Sequence, residues 1–298
     1  MTSASSSAGN PMLSRVGVGI IVAVVFFGSA LLGGWWWALL VFVSMILGQQ
    51  ELCALMKNLG IRPSLTIIYA SAVAMALFAA LDKPQFLPTV LTLTMIACFF
   101  RLLFRSPRAG ISDIGGTLLA VFYMVYLPVQ YILLRQLNTV PDTPLWAQPG
   151  FHYLMFTLIV ISSSDIAAYY VGRAFGKNLL YPAISPKKTR EGALGGFLVG
   201  IGAGLLCSLA WPEIPMLHAG ILSALLVIVG QLGDLTESLM KRDVGMKDSG
   251  VLLASHGGIL DRIDSYVFSG IVCYYYIHWV VLQQGLALEV RHWLQTGL

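Results

Sequence analysis

The sequence predicts an all-α polytopic membrane protein of about nine transmembrane helices, with the N-terminus cytoplasmic and the C-terminus outside. Three observations predict it. Of the 298 residues, 57% are hydrophobic and only 11% charged, at a mean hydropathy of +0.78, whereas a soluble domain carries about a quarter charged residues. The apolar residues gather into runs, and about 20 helical residues cross the roughly 30 Å of membrane hydrocarbon. The 18 Lys and Arg are divided unevenly among the connections between those runs.

Residues 1–15 open with MTSASSSAGNPMLS, are small and polar, and read as a disordered tail ending in Arg15. The runs follow at 16–33, 35–56, 64–81, 86–104, 115–134, 151–172, 194–211, 217–239 and 264–283. Gly33-Gly34 and the stretch from Asp82 to Gln85 leave room only for tight turns. No stretch remains for a separate soluble domain. The chain divides into N-terminal transmembrane helices, 16–150, and a C-terminal catalytic region, 151–298, with long cytoplasmic loops at 173–193 and 240–263. With nine spans, the tail and the connections after the second, fourth, sixth and eighth runs share one side. That side takes fifteen of the 18 Lys and Arg, against Lys83, Arg135 and Arg291 on the other. An even number of spans scrambles this division. By the positive-inside rule, the crowded side is cytoplasmic. Cys53, Cys98, Cys207 and Cys273 each lie in an apolar run without a C-x-x-C partner. They read as small core residues.

The chemistry lies in the few charges. Asp165, in VISSSDIAAYY, and Asp234, in VGQLGDLTESLMKR, sit within apolar runs. A carboxylate there costs on the order of 3 kcal/mol unless it is paired, protonated or metal-bound. Asp234, Glu237, Ser238 and Lys241 are spaced to share one helix face. Such a stripe must face protein, a cavity or an ion, and Gly230 and Gly233 let a neighbouring helix or a ligand come close. Asp261, Arg262 and Asp264 open the last run directly after His256-Gly257-Gly258. Capping accounts for one aspartate, not for the whole group. Asp234 and Asp261 stand at the cytoplasmic edges of consecutive antiparallel helices and can meet. Two carboxylates in a partly dry site need a cation between them, and all-oxygen ligation beside phosphate suits Mg²⁺. Lys187, Lys188, Arg190, Lys241, Arg242, Lys247 and Arg262 suit a polyphosphate. These residue types point to metal-assisted phosphoryl or nucleotidyl transfer onto a membrane substrate. His256 reads as a general base, a phosphate donor or a turn residue.

The order Ser238-Leu-Met-Lys-Arg, Lys247-Asp248, then His256-Gly-Gly-Ile-Leu-Asp-Arg-Ile-Asp264 closely resembles the C-terminal signature of the phosphatidate cytidylyltransferases, or CDP-diacylglycerol synthases. GQLGD at 230–234, SPKKTREGALGG at 185–196 and DIAAYYVGRAFGK at 165–177 also resemble that family. These blocks cover roughly the second half of the chain. The first half matches only as a set of apolar spans. The resemblance implies CTP and phosphatidic acid as substrates, CDP-diacylglycerol and pyrophosphate as products, and Mg²⁺ as cofactor, with or without a second cation. It implies a homodimer in the lipid bilayer of the cell (inner) membrane, its active site facing the cytoplasm, with no nucleic acid as partner. It carries Asp234 and Asp261 over as metal ligands, and Asp234, Asp261, Asp248, His256, Lys241 and Arg262 as the catalytic group. The phosphate-binding set it implies is Ser185, Lys187, Lys188, Thr189, Lys241, Arg242, Lys247, Asp248 and Arg262. In one departure, Ala254-Ser255 stand where the family usually has a Pro-Gly-type turn, and no charged position is lost.

Rival classes fit less well. A CTP-dependent kinase of an isoprenoid alcohol needs the same loops and metal but moves the γ-phosphoryl; the complete signature favours cytidylyl transfer. The D-G-x2-A-R motif of CDP-alcohol phosphotransferases and the D-D-x-x-D of prenyltransferases are absent. A transporter more often carries its charges near the midplane, between inverted repeats. Here they sit at cytoplasmic helix ends, and no internal repeat is visible.

Overall fold

The computed structural model describes residues 11–104, 110–246 and 258–282. Among them, ten helices and one hairpin follow in order: α1 (Pro11–Leu32), α2 (Gly34–Asn58), α3 (Leu65–Ala80), α4 (Leu87–Phe104), α5 (Ile111–Val121), α6 (Leu127–Gln136), α7 (Pro149–Phe175), β1 (Leu179–Tyr181), β2 (Ser185–Thr189), α8 (Arg190–Ala210), α9 (Met216–Asp243) and α10 (Leu260–Tyr275). Each expected apolar run falls on helix. Five rods are long and apolar enough to cross a membrane: α2, the continuous rod Ile111–Gln136 made of α5 and α6, α7, α8 and α9. Large apolar side chains such as Trp36, Leu198, Leu206, Leu209 and Leu217 stand exposed on the outer faces, as lipid-facing helices require.

The joint between α5 and α6 is a widened turn over Phe122–Tyr126, in which the Leu127 N–H bonds to the Phe122 carbonyl. Pro128 follows at once. It has no N–H to offer the preceding turn, and the wider register absorbs the mismatch without breaking the rod. Tyr131 then fixes α6 to α10: its hydroxyl donates to the Tyr266 carbonyl at 2.9 Å, and its ring lies where a side chain on Gly270 would stand.

The turn between α1 and α2 takes positive φ at Gly33 and Gly34, 65° and 50°. It needs glycine at Gly33 for a second reason. A Cβ there would lie 2.8 Å from the guanidinium carbon of Arg135. Buried Arg135 donates to the carbonyls of Ala30 at 2.7 Å and Leu31 at 2.9 Å, so it caps the C-terminus of α1 from a distant helix. One of the three basic residues assigned to the outer side therefore has a packing role.

Packing is tightest where α8 meets α7. Gly192, Gly196, Gly200 and Gly204 are buried at four-residue intervals along α8. A Cβ at Gly192 would stand 2.6 Å from the Ala168 carbonyl oxygen, and one at Gly196 2.7 Å from that of Ser164. This stripe of small residues lets the two backbones touch, the usual means of helix association in lipid.

Two expectations are corrected here. α7 runs to Phe175 and α8 starts at Arg190, so the loop placed at 173–193 shrinks to 176–189. It folds as an antiparallel hairpin pairing Leu179 with Thr189 and Tyr181 with Ser185, a small exception to an all-α fold. The loop placed at 240–263 is also shorter, since α9 continues through Lys241 and Arg242 and α10 begins at Leu260.

Candidate active site

Three elements converge at one end of α7–α10. The first is the hairpin. Thr189 caps α8, its hydroxyl oxygen accepting from Gly192 N at 3.1 Å. Glu191, in the first turn of α8, accepts from the amides of Lys177 and Asn178 and from the Asn178 side chain at 2.7 Å. The residues leading into β1 are thereby tied to the start of α8. Arg242 Nε donates to the Ile184 carbonyl at 3.2 Å, fastening the hairpin turn to the end of α9. On β2, alternation separates the two lysines. Lys187 is exposed, while Lys188 is half-buried and ion-paired with Asp234 of α9. Ser185 is half-buried at the start of the strand.

The second group is built on α9 and α10. Glu237, fully buried, and Asp261 share the ammonium of Lys241, at 2.5 Å and 2.6 Å. The face Asp234–Glu237–Ser238–Lys241 thus splits between two partners. Ser238 stays near Asp234, its hydroxyl 3.5 Å from Oδ1. The other oxygen of Asp261 accepts from Gly258 N at 3.1 Å. As expected, Gly230 and Gly233 admit a neighbouring helix: Cβ atoms there would lie 3.2 Å from the Ser265 carbonyl oxygen and 2.5 Å from that of Asp264. Arg262 is exposed on the first turn of α10.

The third group surrounds the Lys188–Asp234 pair. Asp165, about three turns from the end of α7, is solvent-accessible and within reach of the Ser265 hydroxyl. Asp165 and Asp264 both feel the charges of Asp234 and Lys188. The buried Tyr123 hydroxyl, which has no hydrogen-bond partner, feels Asp234, Glu237 and Asp264. The second and third groups gather five carboxylates, Asp165, Asp234, Glu237, Asp261 and Asp264, against the ammonium groups of Lys188 and Lys241, with Lys187, Arg242 and Arg262 exposed around them. An excess of negative charge in a half-dry cleft attracts a cation. Among the described residues, no three Asp, Glu, His or Cys side chains form a cage for a metal ion. A hard ion held by one or two carboxylates, with waters and phosphate oxygens completing its shell, needs no such cage. The donor set fits Mg²⁺ on those terms. Lys247, Asp248 and His256 lie outside the described residues.

A model of the cytidylyltransferase family matches residues 13–280. The chain belongs to the cytidylyltransferase family. Among the relatives of this cytidylyltransferase, the phosphatidate cytidylyltransferase of Synechocystis sp. is 38% identical over 254 residues, 78% of this chain and 84% of the relative. That of Bacillus subtilis is 39% identical over 158 residues, 53% of this chain and 55% of the relative. Phosphatidate cytidylyltransferase 4, chloroplastic, of Arabidopsis thaliana is 34% identical over 257 residues, 78% of this chain and 65% of the relative. The family match reaches back through α1–α6, beyond the second half in which the motifs are legible.

That wider match includes the residue that sequence reasoning passes over. Glu51 of α2 is buried and accepts from Ile259 N at 3.0 Å and Leu260 N at 2.8 Å, at the very start of α10. The signal was a carboxylate inside an apolar run, the same signal that singles out Asp165 and Asp234. Tyr123 carried none, since a tyrosine in a transmembrane run is ordinary.

Proposed function

We propose that this cytidylyltransferase converts CTP and phosphatidate to CDP-diacylglycerol and pyrophosphate at the cytoplasmic face of a cell membrane, in phospholipid synthesis. The observation that carries the reading is the Lys188–Asp234 pair: a cation-bearing hairpin meets a carboxylate cluster at the ends of α7–α10, in a family whose members include named phosphatidate cytidylyltransferases. The helices α1–α10, with α5 and α6 as one rod, form nine spans with the N-terminus inside, as the distribution of Lys and Arg supports, and the protein works as a homodimer.

Asp234 and Asp261 are the residues that would hold Mg²⁺, and the ion would supply positive charge beside the α-phosphate and the pyrophosphate. Lys187, Lys188, Arg242, Lys247 and Arg262 hold the β- and γ-phosphates, with the hydroxyls of Ser185 and Thr189 beside them. Lys188, which neutralises Asp234 here, turns to nucleotide phosphate as CTP arrives. Lys241 keeps Asp261 oriented through their ion pair. A phosphate oxygen of phosphatidate attacks the α-phosphorus, an O–P bond forms in line, and the bond from the α-phosphorus to the bridging oxygen breaks. The reacting phosphate already carries its charge, so the gain comes from positioning and charge stabilisation. Asp248 and His256 belong to the same connection between α9 and α10.

The test is the fate of label. With membranes, phosphatidate and Mg²⁺, label from α-³²P CTP is expected in the lipid and label from γ-³²P CTP in pyrophosphate. Lipid labelled from the γ position would overturn the reading in favour of a lipid kinase.

A further inference from the structure

We propose that Glu51 is a positioning residue for this transfer, aiming the Asp261 carboxylate by holding the first turn of α10; the proposal rests on the functional reading above. Three consecutive amides open α10, and carboxylates take all three. Gly258 N donates to Asp261, while Ile259 N and Leu260 N donate to the two oxygens of Glu51. The first amides of a helix have no partner within it, and its N-terminus carries positive charge, so a carboxylate belongs there. A local cap of serine or threonine serves one amide and leaves the turn free to rotate. Glu51 grips two neighbouring amides with both oxygens, which fixes the turn in rotation as well as position.

Asp261 is the next residue after Leu260. With its backbone fixed from α2, one of its oxygens returns to Gly258 N and the other meets Lys241 at 2.6 Å. Lys241 is fixed in turn by Glu237. The chain of constraint runs from α2 through the start of α10 to the ammonium, and Glu51 is its end anchored outside the signature. Glu51 is 3% exposed, and a Cβ on Gly48, one turn earlier, would run into Met124 Cε and meet Ile259 Cγ2 at ordinary contact distance, 3.9 Å. A residue acting only as a staple between two halves would serve stability alone. One that sets Asp261 serves the transition state, where a displacement of about 1 Å can cost on the order of a hundredfold.

The test is Glu51→Gln in the full chain. The amide keeps one acceptor and turns an NH₂ against the second backbone N–H. Cytidylyl transfer is expected to fall at least tenfold in kcat, with KM for CTP within twofold. Hydrogen exchange should quicken in the peptide 258–266 and stay unchanged at 154–161 in the bundle core. A kcat within threefold of the parent overturns the proposal. So does unchanged exchange at 258–266, or a loss matched by faster exchange throughout, which marks a staple only. Should Glu51→Gln not insert, Glu51→Asp carries the same readouts. It keeps the charge but is one methylene short, and a kcat-selective fall of at least threefold is expected. A parent chain that moves no α-label fails the functional reading instead, and the two failures are told apart.

Discussion

Lys187 and Lys188 are neighbours in sequence and unequal in the fold. Strand geometry turns one to water and the other to Asp234. Lys188→Gln is therefore expected to lower kcat/KM for CTP by about 10²-fold, roughly 2.7 kcal/mol of transition-state stabilisation. Lys187→Gln should cost less than tenfold and act through KM. Lys57→Gln should change neither parameter, since Lys57 lies in the last turn of α2, outside both the hairpin and α7–α10. Steady-state kinetics over a CTP series decides the order; equal losses at 187 and 188 would sink the assignment. Asp234→Asn removes a proposed metal ligand and leaves the Lys188 ammonium without that counter-charge, and Asp261→Asn removes the other and leaves Lys241 to Glu237 alone. Each is expected to lose about 10³-fold in turnover, on the order of 4 kcal/mol, at unchanged membrane insertion. Near-normal turnover at limiting Mg²⁺ excludes that residue as a ligand.

The helices were legible because a membrane span writes its length into an apolar run, and each expected run falls on helix. The hairpin was not. SPKKT carries a proline and two lysines and no alternation of apolar residues, so no period of two announced a strand. What makes it a strand is fastening from outside, by Arg242 and by the capped start of α8. The glycine stripe of α8 was in plain view, yet its partner helix was not, because a stripe names a face and not what covers it. That face can be tested. Gly196→Val drives a side chain into the backbone of α7. It is expected to cost about 2 kcal/mol or more, read as a lower unfolding temperature in detergent. Gly202→Ala, where a Cβ meets open space, should be within about 1 kcal/mol of the parent and on the stabilising side. Equal effects at the two positions would mean that α7 and α8 do not touch as described.

For the whole molecule, the proposed arrangement puts the hairpin inside the cell and the connection between α6 and α7 outside. In a background lacking the four native cysteines, all buried and free, Ala183→Cys is expected to react only with a reagent admitted to the cytoplasm. Leu145→Cys should react from the opposite side. Labelling of both from one side refutes the orientation. The charges in the second half of the chain were readable as a site because their spacing within each helix is local. How they pair was not, since Asp234 reaches back to Lys188 on the hairpin and Asp261 to Lys241 across a loop. The link from Glu51 to Leu260 spans 209 positions, and no local pattern reports a contact of that separation.

That separation also has a meaning in time. A ribosome adding about 5–20 residues per second reaches α10 roughly 10–40 seconds after α2. Throughout that interval α2 carries a carboxylate to which the α10 amides are not yet offered, and holding it in hydrocarbon costs on the order of 3 kcal/mol. Newly made α2 is better accommodated near the headgroups, or protonated, than seated at its final depth. α10, made long after α2, supplies the amides, and with them Asp261, in a single event. Maturation of the bundle and completion of its chemistry are thus the same step, and a chain cut short before Ile259 has neither.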